Sequence, residues 1–161
     1  KQRHEVRRKF RRLEEAGRVA LRTVDNAAEV SGQMGTFFTL FKMNRTEKAR
    51  FMTDRMASFF HALAIELASA RILKLYFLML NDAVVAAVMC FDHDDTFHLY
   101  NNGYHEKYHS LSVGLLSKLF TVKESIRLAK KRYDFLKGTE VYKHRLGGRQ
   151  VPLYHCRVQF D

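Results

Sequence analysis

Tryptophan is absent from this sequence, proline occurs once and cysteine twice. Two cysteines are too few for a fold stapled by several disulfides. Cys90 and Cys156 both sit in apolar, strand-like runs, so both read as reduced, buried thiols in a cytoplasmic protein. No apolar run approaches the roughly 18 residues needed to cross a bilayer; the longest, Ala83 to Phe91, has the length of a strand. A secretory signal pattern is missing too. Acid is scarce: 17 Asp and Glu face 28 Lys and Arg, a net charge of +11. The histidines His93, His98, His105 and His109 lie near Asp92, Asp94 and Asp95, but their spacing fits no zinc pattern. No metal is expected, and no Ser-His-Asp or Cys-His nucleophile pattern is present.

What the sequence does have is a soluble globular profile, 47% hydrophobic and 28% charged over 161 residues, enough for one domain with its own core. The basic charge is clustered. Lys1 to Arg12 holds seven basic residues against one acid, and Lys123 to Arg149 nine against three. Such clusters suit anionic partners: nucleic acid, phosphates, a membrane surface or an acidic protein. A solvated helix face explains them equally well.

Periodicity predicts the elements. Lys1 to Ala16 reads as a basic helix with a Val6, Phe10, Leu13 stripe, stopped by Gly17. Its charged start, without Met, reads as the end of an absent upstream half, so that residues 1–16 form a leading helix and 17–161 the domain. Arg18 to Val24 alternates as a strand. Asp25 is placed as the N-cap of a helix to Met43, and Thr53 or Thr46 as the cap of another ending near Arg71. Leu73–Leu80, Ala83–Phe91 and Thr96–Tyr104 are three strands on short turns, an antiparallel meander covered on both faces. Ser112 to Lys131 is a helix with a Leu115, Leu119, Val122, Ile126, Ala129 stripe. Tyr133 to Leu136 is a strand, parallel to Thr96–Tyr104, and Thr139 to Leu146 a short helix. Val151 to Phe160 is a last strand, with Pro152 at its start. The order is β-α-α-β-β-β-α-β-α-β after the leading helix: an α/β (α+β) mixed sheet flanked by helices on both faces.

One stretch carries a chemical signal. A polar, aromatic strand end, Tyr100-Asn101-Asn102-Gly103-Tyr104, precedes the turn Ser110-Leu111-Ser112-Val113-Gly114, and that turn opens a helix. A Ser/Gly turn at a helix N-terminus gathers unpaired backbone N–H groups at the positive end of the helix dipole. Ser112 serves either as a plain N-cap or, with the N–H groups of Val113, Gly114 and Leu115, as an anion seat. Asn is poor in strands, so Asn101 or Asn102 either binds substrate or satisfies an irregularity beside Gly103. Glu140, Tyr142 and Lys143 share one short helix. Glu140 and Lys143 either pair at i, i+3 or take part in proton transfer and oxyanion stabilisation. Asp134 begins the preceding strand, as a cap or an ion-pair partner.

The element order resembles the GNAT acyltransferase fold. The strings Arg8-Lys9-Phe10-Arg11-Arg12-Leu13-Glu14, Tyr100-Asn101-Asn102-Gly103-Tyr104, Leu111-Ser112-Val113-Gly114 and Asp134-Phe135-Leu136-Lys137-Gly138-Thr139-Glu140-Val141-Tyr142-Lys143-His144-Arg145 resemble its CelD/BioF-like branch, related to the FemAB transferases. The resemblance implies an acyl-CoA donor, acetyl-CoA or another, and an amine acceptor: a small molecule, a sugar or a peptide. It implies that pantetheine lies where two strands splay apart, along Thr96–Tyr104, with pyrophosphate on Ser110 to Leu115. The donor-binding set is then Asn101, Gly103, Ser110, Ser112, Val113, Gly114 and Leu115, and the catalytic set Lys143, Tyr142 and Glu140. A glycine-rich Q/R-x-x-G-x-G/A turn is usual in that fold; here it reads His109-Ser110-Leu111-Ser112-Val113-Gly114, with Ser112 at the first glycine. The FemAB relationship implies an alternative donor, aminoacyl-tRNA. A basic binding module without catalysis is the reading from another class.

Overall fold

The computed structural model describes residues 2–44 and 46–159. Its centre is one five-stranded sheet in the order β1-β2-β3-β4-β5. The strands are β1 (Val19–Val24), β2 (Leu73–Leu80), β3 (Ala83–His93), β4 (Thr96–Tyr104) and β5 (Arg132–Asp134). β1 to β4 pair antiparallel, and β5 joins β4 in parallel. The meander and the parallel fifth strand are as expected. Tight turns at Asn81 and Asp94, both at positive φ, fix the meander's order.

Alternation sends the strand side chains to two cores. Leu73, Leu75 and Phe77 of β2, with Ala87 and Met89 of β3, pack under α2 (Ala27–Met43) and α4 (Asp54–Ser69). Leu78 and Leu80, with Val85 and Ala86, pack under α1 (Gln2–Glu15) and α5 (Val113–Arg127) through Leu13, Val113 and Leu116. Helices thus cover both faces. Between α2 and α4 runs the single-turn α3 (Thr46–Phe51), and the 3-10 segment Glu106–Leu111 leads into α5. A third cluster, Tyr76, Val88, Cys90, Phe97 and Leu99, meets Tyr133, Phe135 and Tyr142 where β4 adjoins β5.

Several local expectations are corrected. The N-cap of α2 is Asn26, whose side chain accepts from the Glu29 N–H at 2.9 Å; Asp25 turns instead to Lys74 at 2.7 Å. Thr53 caps α4, as expected, while Thr46 opens the separate α3. α5 stops at Arg127, because Ala129 enters the left-handed region (φ 54°) and the Lys130 N–H closes back on Ser125 O at 3.0 Å. Its core face is not the aliphatic stripe: Ile126 is 71% exposed. Buried beside Val113 and Leu116 are Gly114, Ser117, Lys118, Thr121 and Ser125. These small residues bring α5 close to the sheet, and their hydroxyls bond to carbonyls one turn back. β5 ends at Asp134, whose carboxylate accepts from the Leu136 N–H at 2.7 Å while Leu136 turns to φ 55°. The short helix begins later than expected, as α6 (Val141–Arg145).

The last predicted strand does not form over its described part. Residues 151–159 carry no regular structure, and Val151, Leu153, Tyr154 and Val158 are exposed; Phe160 lies outside the described residues. Alternation specifies a strand only where a face is buried and an edge pairs, and this segment has neither. Cys156 is therefore exposed, while Cys90 is fully buried in the third cluster.

Candidate active site

β4 holds two registers against β3. Leu99 pairs with Cys90 and Asn101 with Met89, so Tyr100 is an extra residue, a β-bulge. On the other side β4 pairs with β5 only from Thr96 to His98, and β4 then continues alone to Tyr104. The strands part there. Between them lies a cleft of about 220 Å³, floored by the free end of β4 and walled by residues 135–143. A strand edge without a neighbour offers backbone N–H and C=O groups to an extended ligand with its own amides.

Side chains dress that edge. The Asn44 side-chain amide, at the end of α2, accepts from the Tyr104 N–H at 2.7 Å and donates to the Tyr104 carbonyl. Lys48 of α3 donates to Asn102 O at 2.6 Å and reaches Asn101 Oδ1 at 3.4 Å, over the Phe41 ring. Asn101 Oδ1 also accepts from the Asn102 N–H at 3.1 Å. Asn101 thus serves the bulged strand and lines the cleft together.

The opposite wall is built around one lysine. Lys143 is 7% exposed. Its ammonium donates to Lys137 O at 2.8 Å and Leu136 O at 3.1 Å, with Gly138 O at 3.4 Å and Glu140 Oε2 at 2.9 Å. A buried ammonium needs such acceptors, and here they tie the loop 136–140 into a ring. Phe135 meets Tyr142 edge to face, fixing the wall to the third cluster.

Of the residues singled out in the sequence, Asn101, Glu140, Tyr142 and Lys143 come together around this cleft. Ser110, Ser112, Val113, Gly114 and Leu115 do not line it; they lie where the 3-10 segment passes into α5. Gly114 touches it indirectly: a Cβ there would meet the Tyr104 ring at 2.5 Å, and its carbonyl accepts from Lys118 Nζ at 2.7 Å. Ser112 is not a side-chain cap. It takes the left-handed region (φ 58°), makes no cap hydrogen bond, and its hydroxyl accepts from Lys9 Nζ at 2.9 Å. Leu115 spends its N–H on Ser112 O at 3.0 Å, and the first-turn N–H groups that remain, those of Val113 and Gly114, belong to buried residues, so the turn presents no open anion seat in the ligand-free fold. Gly103 is a packing glycine. A Cβ there would lie 2.4 Å from the backbone of Leu40 and Phe41, so its lack of a side chain lets α2 cross β4.

Sequence reasoning missed Asn44, Lys48 and Lys118. Lys118 is 7% exposed, lines the cleft and lies 4.6 Å from the centre of the Tyr142 ring. Its signal was the Gly114, Ser117, Thr121, Ser125 stripe, whose spacing marks a close-packed helix face with Lys118 on it. Burial pushes the Tyr133 phenol well above its usual range, and the Thr121 hydroxyl bonds it at 2.7 Å. Tyr133 is thus a neutral structural post at the point where the strands part. Among the described residues, no group of His, Cys, Asp or Glu is arranged to hold a metal ion, and no helix is long and apolar enough to cross a membrane.

Comparison with solved structures gives the same architecture at low identity. An aminoglycoside acetyltransferase from an uncultured soil metagenomic sample, in complex with sisomicin, is 9% identical, with a TM-score of 0.58 over 88% of this chain and 97% of that one. AAC(6')-Iy in complex with the bisubstrate analogue CoA-S-monomethyl-acetylneamine is 11% identical, TM-score 0.59, over 88% and 100%. A ribosomal-protein-alanine N-acetyltransferase from Brucella melitensis biovar Abortus 2308 is 8% identical, TM-score 0.55, over 89% and 100%. No curated protein matches the sequence. At this identity the structures speak to fold alone. The sequence itself matches the family described as the acetyltransferase (GNAT) domain over residues 1–144. With a parted β4–β5 pair beside a helix N-terminus and a family match over most of its length, the chain belongs to the GNAT acetyltransferase domains.

Proposed function

We propose that this protein is an N-acyltransferase that moves an acyl group, acetyl in the first instance, from acyl-CoA to the amine of a small molecule. The observation that carries the reading is the end of β4–β5 pairing at His98 while β4 runs on to Tyr104. That gap exposes strand edge along the length a pantetheine arm would need, and it opens beside the first turn of α5. In this reading the pyrophosphate comes to the first turn of α5 and uncovers the N–H groups of Val113 and Gly114, which are buried in the ligand-free fold, with Lys9 beside them through Ser112. The two amides of pantetheine take the edge of β4 by displacing the Asn44 and Lys48 side chains that hold it at Tyr104 and Asn102, and the thioester lies near Asn101, Tyr142 and Glu140.

The reaction is a direct attack. The amine lone pair forms the C–N bond as the C–S bond breaks, and the thiolate of CoA leaves with that electron pair. Glu140 takes the proton lost by the amine, and Tyr142 gives one to the thiolate. The Lys118 ammonium over the Tyr142 ring favours negative charge at that end of the cleft. Lys143 holds Glu140 and the loop carbonyls in place, so its charge acts on the wall first and on the reacting carbonyl second.

The aminoacyl-tRNA reading has one observation of its own: basic α1 packs beside the first turn of α5 and places Lys9 on Ser112. Thermal melting separates the readings. Acetyl-CoA at saturating concentration should raise Tm by several degrees, because a ligand bound only to the folded state stabilises it. A rise with aminoacyl-tRNA and none with acetyl-CoA would replace the donor. A rise with any polyanion, abolished by salt, would leave a basic binding module.

A further inference from the structure

α1 carries its charge in the wrong order for a helix. Its basic residues, Arg3, Arg7, Arg8, Lys9, Arg11 and Arg12, begin in the first turn, and two of its acids, Glu14 and Glu15, close the last. The macrodipole favours the reverse, acid at the N-terminus and base at the C-terminus. Like charges also stack. Arg3, Arg7 and Arg11 follow one another at i, i+4, as do Arg8 and Arg12, a spacing at which like charges repel. A face that only meets water is served by interspersed Glu and Lys, which support the helix. The five arginines oppose the helix that holds them, and such a local conflict marks a functional surface.

The tertiary structure leaves these arginines unused. All five are exposed, and among the described residues none forms an ion pair; the pair within α1 is Lys9 with Glu5. Phe10 and Leu13 pack against α5, and Lys9 turns to Ser112. At 3.6 residues per turn the five arginines fan over about half the helix circumference, and Leu13 and Lys9 fall on the other half. Lys123 of α5, 4.3 Å from the centre of the Phe10 ring, continues the positive surface beside them. None of the described residues of α1 lines the cleft.

We infer that this face of α1 binds the phosphodiester backbone of a nucleic acid without reading its sequence. The site lies outside the cleft, so the inference stands apart from acyl transfer. Charge complementarity asks for a polyanion, and three features select nucleic acid. The charge carriers are arginines, whose planar forks bind phosphate oxygens in pairs. They stand on a convex ridge about 21 Å long and spread round half of it. A flat lipid surface meets only the crest of such a ridge, whereas a groove or a wrapping strand meets its flanks as well. The apolar side chains Phe10 and Leu13 are spent on α5, so they are not on this face to enter a bilayer. The exposed residues of α1 include no Phe, Tyr or Trp to stack on a base, and contacts to phosphates carry no sequence information.

The test is fluorescence anisotropy with a labelled DNA duplex and a labelled RNA strand, each of mixed sequence, titrated over a range of salt. At least one should bind at low salt, and log K should fall against log salt with a slope of about −3.5 to −4.5 when all five arginines meet phosphates. Changing Arg3, Arg7, Arg8, Arg11 and Arg12 together to Gln should weaken binding about tenfold or more and flatten that slope. Gln keeps the helix propensity, and the melting temperature should hold or rise as the repulsion is relieved. Arg7→Gln alone should lower the slope by about 0.7–0.9, a reading that survives if the fivefold variant melts early. Removing five charges elsewhere, at the exposed Arg50, Arg55, Arg145, Arg149 and Arg157, should cost much less. No binding at low salt, equal losses in the two fivefold variants, or a strong sequence preference would overturn the inference. So would equally tight binding to vesicles of phosphatidylserine and phosphatidylcholine, or to polyglutamate. Saturating CoA should leave the nucleic acid bound; displacement by CoA would put it in the cleft and overturn the assignment to α1.

Discussion

β4 and residues 135–143 face each other across one cleft, yet different forces hold them. β4 is gripped by apolar burial: Phe97 is fully buried, Leu99 nearly so, and Gly103 lies flush against the backbone of α2. The opposite wall has a three-residue strand, a one-turn helix and a loop whose residues 136–140 are exposed. It is held by the Lys143 ammonium and by two aromatic rings. Burial fixes one wall whatever the solvent, while a knot of hydrogen bonds fixes the other locally and opens at lower cost. A transferase whose donor lies on a fixed edge and whose second wall can yield has a ready route for reactants to enter and products to leave.

The largest effect should come from breaking the apolar wall. In Gly103→Ala the new Cβ meets backbone, Leu40 C and Phe41 N at 2.4 Å, and neither can swing aside. A loss of about 3 kcal/mol in urea unfolding is expected, the upper part of the range for overpacking. Gly114→Ala meets only the Tyr104 ring, which can turn, so it should cost less than half as much. Equal costs would mean that α2 is not held against β4 as described.

Breaking the polar wall should separate activity from stability. Lys143→Met keeps the stem and removes the charge that binds three carbonyls and Glu140. Turnover should fall about 10²-fold, as on loss of an oxyanion-type donor. Amide exchange should quicken at residues 136–140 and stay slow in β2 and β3. Lost turnover with unchanged exchange would place Lys143 at the reacting carbonyl itself.

The cluster where the two walls meet should respond to pH. Burial pushes the Cys90 thiol and the Tyr76 and Tyr133 phenols well above their ordinary ranges. In the unfolded chain the thiol ionises near pH ~8.5 and the phenols near ~10. The folded protein keeps these protons, so above those values it binds more protons than the unfolded chain, and stability falls as pH rises. The contribution is whole below about pH 8 and declines above about pH 9, by up to about 1.4 kcal/mol per pH unit for each group. Urea midpoints measured across that range check the slope, and Cys90→Ala should flatten its early part. A midpoint that rises with pH would contradict the burial described.

The smallest effect concerns the segment that belongs to neither wall. Cys156 is exposed and Cys90 buried, so a thiol reagent should modify one cysteine quickly and leave the fold and the cleft intact. Fast modification of both would show that the third cluster opens in solution.

The fold was legible in the sequence where local pattern and tertiary burial agree. The meander strands alternate or run apolar, and their turns carry Asn81-Asp82 and Asp94-Asp95. It was illegible where contact decides. Beyond Val113 and Leu116, the buried face of α5 is Gly114, Ser117, Thr121 and Ser125, so the aliphatic stripe through Ile126 pointed partly to the wrong side and hid Lys118. Residues 151–159 alternate like a strand, but no edge receives them. The site was partly legible: Asn101, Glu140, Tyr142 and Lys143 were flagged and share the cleft. The β-bulge at Tyr100, on the strand that floors it, depends on register, which one strand's sequence does not carry. Lys48 and Asn44 reach the site from another helix pair, and no local spacing announces that approach.

The central claim is that the donor lies along the free edge of β4 and against the first turn of α5. Amide hydrogen exchange with and without CoA tests it most directly. The account predicts slowed exchange at Asn102 and Tyr104, whose N–H groups are held by side chains in the ligand-free fold, and in the first turn of α5 when CoA is present, with β1 and the outer turns unchanged. Protection confined to α1, or none at β4 under saturating CoA, would contradict it.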